Sequence, residues 1–369
     1  MLIKLVTKLL ILVSISNFCF AEQANFDSQK IDKHILKYVE EEDFRGVVLV
    51  AKEGKVLFKS AYGNADDSNK TLNTVNNKFL IGSLTKSFTA VTVMKLVDEG
   101  KLNLNAPLAT YIPKLNTNIS KNLTLHLLLK HQSGLPQHLE RIVSFEEKDV
   151  SSDEILDIIN TASLAFTPGK QYQYSNLNYH LAAIAIENVM AKTYAEVLQE
   201  KIFIPLNMKN SGVERLSNIP ANRSNGYRKG VLGINRDENI VSYALGSGDI
   251  YSTVDDLLNW EQSLYSSKLL SEESQKLLFA GESQEFGNYG YGFRIQKYQR
   301  ASTESKGTLT RHGGSMNGFL SNLHRYTDDK LTVIILANIR SFPIRNLTFE
   351  LKEIALGLDV GDRNRKRFE

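Results

Sequence analysis

The chain has 369 residues, of which 42% are hydrophobic and 23% charged, and its formal net charge is +3. This length is enough for a large buried core, and the hydrophobic content is ordinary for a globular protein. The nearly balanced charge argues against nucleic acid as a partner, because nucleic-acid-binding domains usually carry a marked excess of lysine and arginine.

The first 21 residues have the pattern of a secretory signal peptide. Lys4 and Lys8 precede the apolar run 9–13, and a small-x-small cleavage site ends at Ala21. We therefore expect a periplasmic or secreted protein. After signal removal no transmembrane segment is expected, since no later stretch has the ~18 consecutive apolar residues that a bilayer requires. The single cysteine, Cys19, lies in the signal, so the mature chain would form neither a disulfide nor a cysteine metal site.

The region after the signal predicts a helix and then a β-hairpin. Residues 27–42 carry apolar side chains at a helical spacing. The short apolar runs 47–51 and 56–58 flank a turn with Gly54, a combination typical of two paired antiparallel strands. The asparagine-rich segment 64–77 is predicted as a loop that leads to the next helix.

Residues 79–100 predict a buried central helix with a serine and a lysine at its start. The run 87–97 is apolar nearly all round, and Gly100 provides a C-terminal stop. Ser83 and Lys86 are three residues apart, so on a helix their side chains share one face. A serine hydroxyl becomes a good nucleophile when a neighbouring base takes its proton, and a lysine is such a base when burial lowers its pKa.

The Ser-x-x-Lys pattern alone is weakly specific, since composition produces it about once or twice by chance in a chain of this size. The alternative interpretation is that Ser83 only caps the helix and that Lys86 is a solvated side chain of its first turn. Further motifs must decide between these two interpretations.

The middle of the chain has a helical pattern, and strand-like runs return toward the C-terminal end. Between residues 102 and 210 the clearest helical pieces are 123–130, 153–159 and 179–190. Residues 252–255 predict a capping box that opens a helix through Trp260. The predicted strands are 289–295, 308–312, 319–326 and 331–337, followed by a final helix at 346–356.

Strands near both ends of the chain, with helices between them, predict an α+β fold with the layers of an α/β sandwich. We expect one antiparallel sheet built from both chain ends and flanked by helices, and a mainly helical second lobe. Residues 22–369 would form a single domain, with the sheet-containing lobe at about 22–100 and 285–369 and the helical lobe at about 101–284. A cleft between two lobes is a natural place for an active site.

Two further motifs supply groups that could act beside Ser83. Tyr174 and Asn176 lie in a loop just before a predicted helix, where a tyrosine can serve as general acid or base and an asparagine can hold a substrate amide. Tyr62 and Asn64 match the same Tyr-x-Asn pattern after a hairpin strand. The pattern alone therefore does not choose between the two pairs.

The third motif is Arg311-His312-Gly313-Gly314-Ser315 at the end of a predicted strand. Its two glycines allow the backbone to pass close to a ligand and to present N–H groups to an oxyanion. The turn at residues 246–249 also holds two glycines and is a candidate wall of the same pocket, although a plain turn explains it equally well.

Residue identity and spacing argue against two other schemes. The Gly-x-Ser-x-Gly elbow of α/β-hydrolases needs glycine where Asn317 stands, two residues after Ser315. His126, His131 and His138 cluster in sequence, but a glycine and a proline between the last two would break any helix that aligned them. Since no zinc-peptidase spacing is present either, we do not expect a histidine metal site.

The motifs Ser83-x-x-Lys86, Tyr174-x-Asn176 and His312-Gly313-Gly314 occur in this order and far apart. In this respect the chain resembles the serine β-lactamase and penicillin-binding-protein-like hydrolases. The likeness is to the branch that holds class C β-lactamases, D-alanyl-D-alanine carboxypeptidases, D-aminopeptidases and related esterases. It extends over roughly residues 46–356 and includes the segments 79–88, 99–102, 133–136 and 252–256.

The resemblance implies a β-lactamase/transpeptidase-like fold and a covalent acyl-enzyme mechanism that needs no metal or organic cofactor. Ser83 would be the nucleophile, and Lys86 and Tyr174 would share the general-base and proton-shuttle work. Asn176 would orient the substrate, and the backbone N–H groups of Ser83 and Ser315 would form the oxyanion hole. Which of Lys86 and Tyr174 takes the proton during acylation stays open.

The third motif departs from most β-lactamases and penicillin-binding proteins, which have lysine, a hydroxyl residue and glycine where this chain has His312, Gly313 and Gly314. Histidine is largely neutral near pH 7 and Gly313 has no hydroxyl, so the site is weaker at holding the carboxylate of a β-lactam or D-alanine terminus. A protonated His312 would attract that carboxylate. We therefore expect carboxylate-bearing substrates to fare relatively better at acid pH.

The sequence thus favours an exported serine hydrolase that cleaves amide or ester bonds in D-amino-acid peptides or esters, with peptidoglycan fragments as one source of substrate. A catalytically silent penicillin-binding-like recognition module is one alternative, and a true class C-like β-lactamase is another. The presence of Ser83, Lys86 and Tyr174 favours an enzyme over the silent module.

Overall fold

The computed structural model describes residues 26–139, 148–237, 240–301 and 303–360. The expected signal peptide at 1–21, with Cys19, lies outside the described residues. Within the described part of the chain, no helix combines the length and the apolar character that a membrane crossing requires.

Helices and strands follow one another in a mixed order along the chain. The helices are α1 Ser28–Glu42, α2 Thr85–Asp98, α3 Thr117–Ser120, α4 Leu125–Leu129, α5 Ser152–Asn160, α6 Asn176–Met190, α7 Tyr194–Leu198, α8 Val254–Ser263, α9 Glu272–Leu278 and α10 Ile344–Ala355. The strands are β1 Gly46–Lys52, β2 Lys55–Tyr62, β3 Asn64–Asp66, β4 Thr71–Leu72, β5 Phe79–Leu80, β6 Gly212–Val213, β7 Tyr227–Gly230, β8 Gly233–Arg236, β9 Ile250–Ser252, β10 Arg294–Gln299, β11 Lys306–Met316, β12 Phe319–Tyr326 and β13 Leu331–Ala337.

The main sheet joins the two ends of the chain. Its strand order is β10-β11-β12-β13-β1-β2, and every neighbouring pair is antiparallel. The N-terminal hairpin adds to the C-terminal strands through the pairing of β1 with β13, in which Val48 lies opposite Ile335. The expected fold class, with an antiparallel sheet built from both chain ends, is confirmed.

The sheet buries both of its faces, and the alternation of side chains along β1 shows how. Val48 and Val50 point to a cluster that includes residues of α1 and α10, while Val47 and Leu49 point to the larger cluster around α2. A strand that is apolar at successive positions is typical of a sheet covered on both faces. Each of these side chains contributes about 1.5–3 kcal/mol to folding by leaving water.

The central helix α2 lies in the middle of the larger core. Its residues 85–94 are all buried, and it packs against α6 and α9. Phe88 stacks on Trp260 with ring centroids 4.0 Å apart. The helix ends at Asp98, and Gly100 has φ +70°, as the predicted glycine stop requires.

Several local boundaries differ from the predicted ones. α6 begins at Asn176 rather than 179, because the Ser175 hydroxyl caps its first turn by accepting from the Leu177 N–H. α8 is capped by Thr253 alone, while Ser252 is the last residue of β9 and does not form the predicted box. β10 begins at Arg294, whereas the predicted strand began at residue 289.

Candidate active site

Ser83 lies in a tight turn between β5 and the central helix. The turn is the 3-10 helix Gly82–Leu84, which leads directly into α2. Gly82 has φ +50°, and a Cβ there would lie 2.9 Å from backbone atoms of Ser315. Only glycine fits this approach, so Gly82 lets Ser83 come against β11. No side-chain hydrogen bond caps the 3-10 turn or α2, so the interpretation of Ser83 as a helix cap is wrong.

Lys86 follows Ser83 on the first turn of α2 and has no exposed surface. Its Nζ lies 3.0 Å from Ser83 Oγ and donates to the Ser247 carbonyl oxygen at 2.8 Å. Burial lowers the pKa of Lys86 well below 10.5, and the negative charge of Asp249 opposes this to a smaller extent. The neutral amine can accept the Ser83 proton. The interpretation of Lys86 as a solvated side chain is therefore wrong.

Tyr174 makes a second contact with the Ser83 hydroxyl. The Ser83 hydroxyl lies close enough to affect the pKa of the Tyr174 phenol, and the Tyr174 ring centroid lies 5.0 Å from Lys86 Nζ. Burial raises the pKa of the phenol, and the hydrogen bond from Ser83 lowers it to a smaller extent. Tyr174 is therefore a neutral phenol with a proton to donate. The structure thus brings Ser83, Lys86 and Tyr174 together.

Asn176 is the first residue of α6 and lies beside the same cleft. Its Nδ2 donates to Nδ1 of His138 at 2.9 Å, which sets the orientation of the amide. Its Oδ1 is buried and has no hydrogen-bond partner among the described residues. Asn176 itself lines a cavity at Ser83, which places the residue beside a bound substrate.

His131 supports Tyr174, which the sequence does not reveal. The two ring centroids are 4.2 Å apart, and His131 Nδ1 lies 3.2 Å from the Ser175 backbone N–H and 3.1 Å from Asn178 Nδ2. Burial lowers the pKa of His131 well below 6.5, so the ring is neutral and accepts both hydrogen bonds. A histidine without a fixed spacing to the other motifs gives no signal for such a contact.

Gly313 and Gly314 permit close packing of β11 against the Ser83 turn. A Cβ at Gly314 would lie 1.8 Å from the Ile81 carbonyl oxygen, and one at Gly313 would lie 2.4 Å from a side-chain oxygen of β12. Larger residues would push β11 away from the turn. The glycines thereby bring Ser315 to Ser83, and both serines line the cleft.

Two cavities meet at Ser83, and their linings differ. The first, of about 360 Å³, is lined mostly by neutral side chains together with one arginine: His138, Asn176, Tyr243, Ser247, Met316 and Arg340. The second, of about 460 Å³, lies on the side of Tyr174 and His312 and contains three arginines, Arg294, Arg311 and Arg345. Ser247 and Gly248 make the turn at 246–249 part of the wall of the first cavity.

The three arginines repel one another across the second cavity. Burial, reinforced by the charges of Arg345 and Arg294, lowers the pKa of Arg311 to about 10, and no carboxylate among the described residues opposes this shift. Arg311 donates to Gln296, and Arg294 donates to the Gly287 carbonyl oxygen, both neutral partners. A bound anion would relieve the repulsion. The sequence did not reveal this cluster, since its members come from β10, β11 and α10.

His312 is buried in the structure, and its ring is held by two hydrogen bonds. Its Nδ1 lies 2.7 Å from the Gly313 carbonyl oxygen and must donate to it, so Nε2 accepts from the Tyr289 hydroxyl at 2.8 Å. Burial and then the charge of Lys86 lower the pKa of His312 well below 6.5. The lowered pKa disfavours the protonated imidazole on which the expected gain for carboxylate substrates at acid pH depends.

Replacing His312 with lysine is expected to destabilise the protein. The new ammonium would be buried beside the Lys86 amine and near the positive charge of Arg294, which should cost about 3 kcal/mol of unfolding free energy. Urea denaturation followed by tryptophan fluorescence measures this loss. His34→Lys is the matched control, because Glu350 lies 2.7 Å from His34 Nε2 and would pair with the new charge. Equal losses in the two variants would contradict the prediction.

The competing pair, Tyr62 and Asn64, stabilises the sheet region instead. Tyr62 Oη donates to Asp32 of α1 at 2.5 Å, and Asn64 Nδ2 donates to Asp67 at 2.9 Å. Neither residue lines a cavity at Ser83. Of the two Tyr-x-Asn pairs, the structure brings only Tyr174 and Asn176 to the serine. Within the described residues, no three metal-binding side chains converge.

Known proteins resemble this chain in sequence and in fold. A sequence profile described as Beta-lactamase matches residues 31–355. The teichoic acid D-alanine hydrolase of Staphylococcus aureus (strain MRSA252) is 30% identical over 312 residues, which cover 84% of this chain and 74% of that protein. The D-amino acid amidase from Ochrobactrum anthropi SV3, complexed with L-phenylalanine amide, superposes with a TM-score of 0.73 and 25% identity, covering 85% of this chain and 91% of that one. The octameric penicillin-binding protein homologue from Pyrococcus abyssi superposes with a TM-score of 0.77 and 24% identity, covering 90% and 78%.

Proposed function

The chain belongs to the β-lactamase family and is a serine hydrolase, and we propose that Ser83 forms an acyl-enzyme with D-amino-acid amides or esters. The observation that carries this proposal is the position of the Ser83 hydroxyl, in contact with both the buried Lys86 amine and the Tyr174 phenol. The relatives named for D-alanine and D-amino acid hydrolysis support the substrate class.

Lys86 and Tyr174 share the proton transfers in this mechanism. Ser83 Oγ bonds to the substrate carbonyl carbon while its proton passes to Lys86, whose lowered pKa favours the neutral amine. Tyr174 donates its proton to the departing nitrogen or oxygen and regains one from Lys86, so protons balance as the bond to the leaving group breaks. Water then attacks the acyl-enzyme by the reverse route, which releases the acid product and restores Ser83.

The tetrahedral intermediate needs donors for its negative oxygen. The backbone N–H groups of Ser83 and Ser315 are the proposed donors, and Gly82 and Gly314 support this role because they allow the two segments to touch. Asn176, which lines the cavity at Ser83, would orient the substrate on the acyl side of the scissile bond.

The arginine cavity supports a substrate with an anionic leaving group. The cavity lies on the side of Tyr174, the residue proposed to protonate the leaving group. A carboxylate or phosphate there would be stabilised by the mutually repelling charges of Arg294, Arg311 and Arg345. The neutral His312 contributes no charge to this interaction.

Arg345→Gln is expected to lower kcat/KM for an anionic leaving group by about 10-fold or more, because a charge-assisted contact is lost. The measurement compares D-alanyl-D-lactate, whose leaving group carries a carboxylate, with D-alanine methyl ester, whose leaving group is neutral. The methyl ester should be hydrolysed as in the wild type. Arg340→Gln is the matched control, since Arg340 lines the other cavity. Equal losses for the two esters would remove the arginines from leaving-group recognition.

A substrate panel tests the proposed function as a whole. D-alanyl esters, D-amino acid amides, their L-enantiomers and nitrocefin are incubated with the purified protein. Preferential turnover of D-substrates, with an acyl adduct on Ser83 seen by mass spectrometry, is the expected result. Fast nitrocefin hydrolysis would favour a class C-like β-lactamase instead, and no turnover with any substrate would favour a silent recognition module.

We also propose that the protein acts outside the cytoplasm. The support is the signal-peptide pattern at residues 1–21. The mature protein should then be recovered from the periplasmic or secreted fraction with Glu22 at its N-terminus. Recovery of the uncleaved chain from the cytoplasm would contradict export.

A further inference from the structure

A buried turn holds Lys86 from the side opposite Ser83. The turn comprises residues 246–249, and its Ser247 carbonyl oxygen accepts from Lys86 Nζ at 2.8 Å. Thr89, one turn along α2, donates to the Gly246 carbonyl oxygen at 2.6 Å. Gly246 has φ +64°, and a Cβ there would lie 2.6 Å from Ala183 of α6. The turn is therefore clamped between α2 and α6 in a conformation that favours glycine.

Asp249 closes this turn with a carboxylate that has no exposed surface. Its Oδ1 accepts from the Gly246 N–H at 3.1 Å, and its Oδ2 accepts from Arg215 Nη1 at 3.0 Å. Burial raises the pKa of Asp249 to about 6, while the charge and hydrogen bond of Arg215 oppose the rise. At pH 7 the carboxylate is therefore ionised. A buried carboxylate costs folding free energy, so its presence beside Lys86 calls for an explanation.

The other titratable groups around Lys86 are held neutral by burial. Burial raises the pKa of two phenols, those of Tyr174 and Tyr179. It lowers the pKa of three imidazoles, those of His131, His180 and His312. Tyr194, which faces Asp249 from α7, likewise stays a neutral phenol. Among the described residues, Asp249 is the one charge that acts on the pKa of Lys86, and it acts to raise it.

We propose that Asp249, held by Arg215, is a positioning residue that fixes the Ser247 carbonyl oxygen on Lys86 and sets the pH at which Lys86 becomes a base. This inference rests on the proposed role of Lys86. The direction of the expected shift in the pH profile follows from charge alone. Hydrolysis is lost as pH falls through the pKa of Lys86, because the ammonium cannot accept the Ser83 proton. Asp249 is negative above its pKa of about 6, and there it stabilises the ammonium, so its removal should move this acid limb to lower pH.

The test is the pH profile of kcat/KM for D-alanine methyl ester with wild type and Asp249→Asn. The amide keeps an oxygen for the Gly246 N–H but removes the charge, and we expect the acid limb to shift down by about one pH unit. Asp256→Asn is the matched control. Asp256 is also buried with a raised pKa, yet it accepts from Asn210 and Ser211 and has no effect on the pKa of Lys86.

Arg215→Met provides a second variant in case Asp249→Asn does not fold, since Arg215 is partly exposed. Without the guanidinium, the pKa of the Asp249 carboxyl rises further and its charge is lost near neutral pH. The acid limb should then shift in the same direction as in Asp249→Asn, and the double variant should shift no further.

The rate of Ser83 labelling by a fluorophosphonate probe, measured over the same pH range, separates the two levels of the proposal. If the wild type is not labelled on Ser83, the proposed function itself fails. If Ser83 is labelled but the acid limb of Asp249→Asn or Arg215→Met coincides with that of the wild type and of Asp256→Asn, the role of Asp249 is overturned alone. A downward shift confined to the Asp249 and Arg215 variants supports it.

Discussion

Ser83→Ala is expected to lower kcat for D-alanine ester hydrolysis by at least about 1,000-fold, because the variant has no hydroxyl to form the acyl-enzyme. Covalent labelling by a fluorophosphonate probe should disappear at the same time. Intact-mass spectrometry before and after incubation with the probe measures labelling, and initial rates with the ester measure turnover. Folding should be preserved, since Ser83 makes no capping hydrogen bond at the start of α2.

Ser87→Ala is the matched control for this change. Ser87 is a buried serine on the same helix, and its Oγ donates to the Leu84 carbonyl oxygen at 2.8 Å rather than facing Lys86. Loss of that bond should cost about 1 kcal/mol of stability and leave labelling intact. Labelling that survives in Ser83→Ala, or that disappears in Ser87→Ala, would remove Ser83 from the role of nucleophile.

The second large effect is expected at the two residues that contact the Ser83 hydroxyl. Lys86→Ala and Tyr174→Phe should each lower kcat by about 100-fold or more, since each interrupts proton transfer to or from Ser83. The double variant should lose much less than the product of the single losses, because groups that form one proton path act as a unit. Steady-state kinetics of the four proteins on one D-amino acid amide provide the measurement.

Tyr179→Phe is the control for the loss of a buried phenol. Tyr179 is fully buried, whereas Tyr174 is partly exposed, and the Tyr179 ring centroid lies 5.7 Å from Lys86 Nζ, but its hydroxyl donates to the Leu129 carbonyl oxygen. This variant should retain most of the activity. If the losses in the Lys86 and Tyr174 double variant were fully multiplicative, this would argue against a shared proton path. A large loss of kcat in Tyr62→Phe would mean that the wrong Tyr-x-Asn pair was chosen.

The ends of the chain were the most predictable part of the fold. β12 and β13 lie at the predicted positions 319–326 and 331–337, because turn residues bound both segments and β13 is a nearly continuous apolar run. The central helix and its glycine stop follow from the same kind of local pattern. Short elements were missed, including β3, β4 and β6 to β9, because two to four residues carry no measurable periodicity.

Ser83, Lys86 and Tyr174 could be proposed from local spacing combined with a family resemblance, since nucleophile and base must be of particular residue types. The residues that surround and support these three could not be proposed in this way. His131 and Asp249 act on Tyr174 and Lys86 through contacts between segments that are far apart in the chain. The arginine cavity has the same origin, because β10, β11 and α10 meet only in the folded protein.

His312 shows most clearly which properties follow from residue identity and which depend on the tertiary structure. Its position in the third motif follows from the sequence, and so does the absence of a hydroxyl at Gly313. Its charge does not, because the pKa of an imidazole depends on how much water it loses and on which charges surround it. Lys86 shows the same division. One turn of helix places its amine near Ser83, but burial by α6 and the turn at 246–249 lowers its pKa, as its proposed role of base requires. Local geometry follows from the order of residues, whereas desolvation depends on contacts that only the complete fold creates.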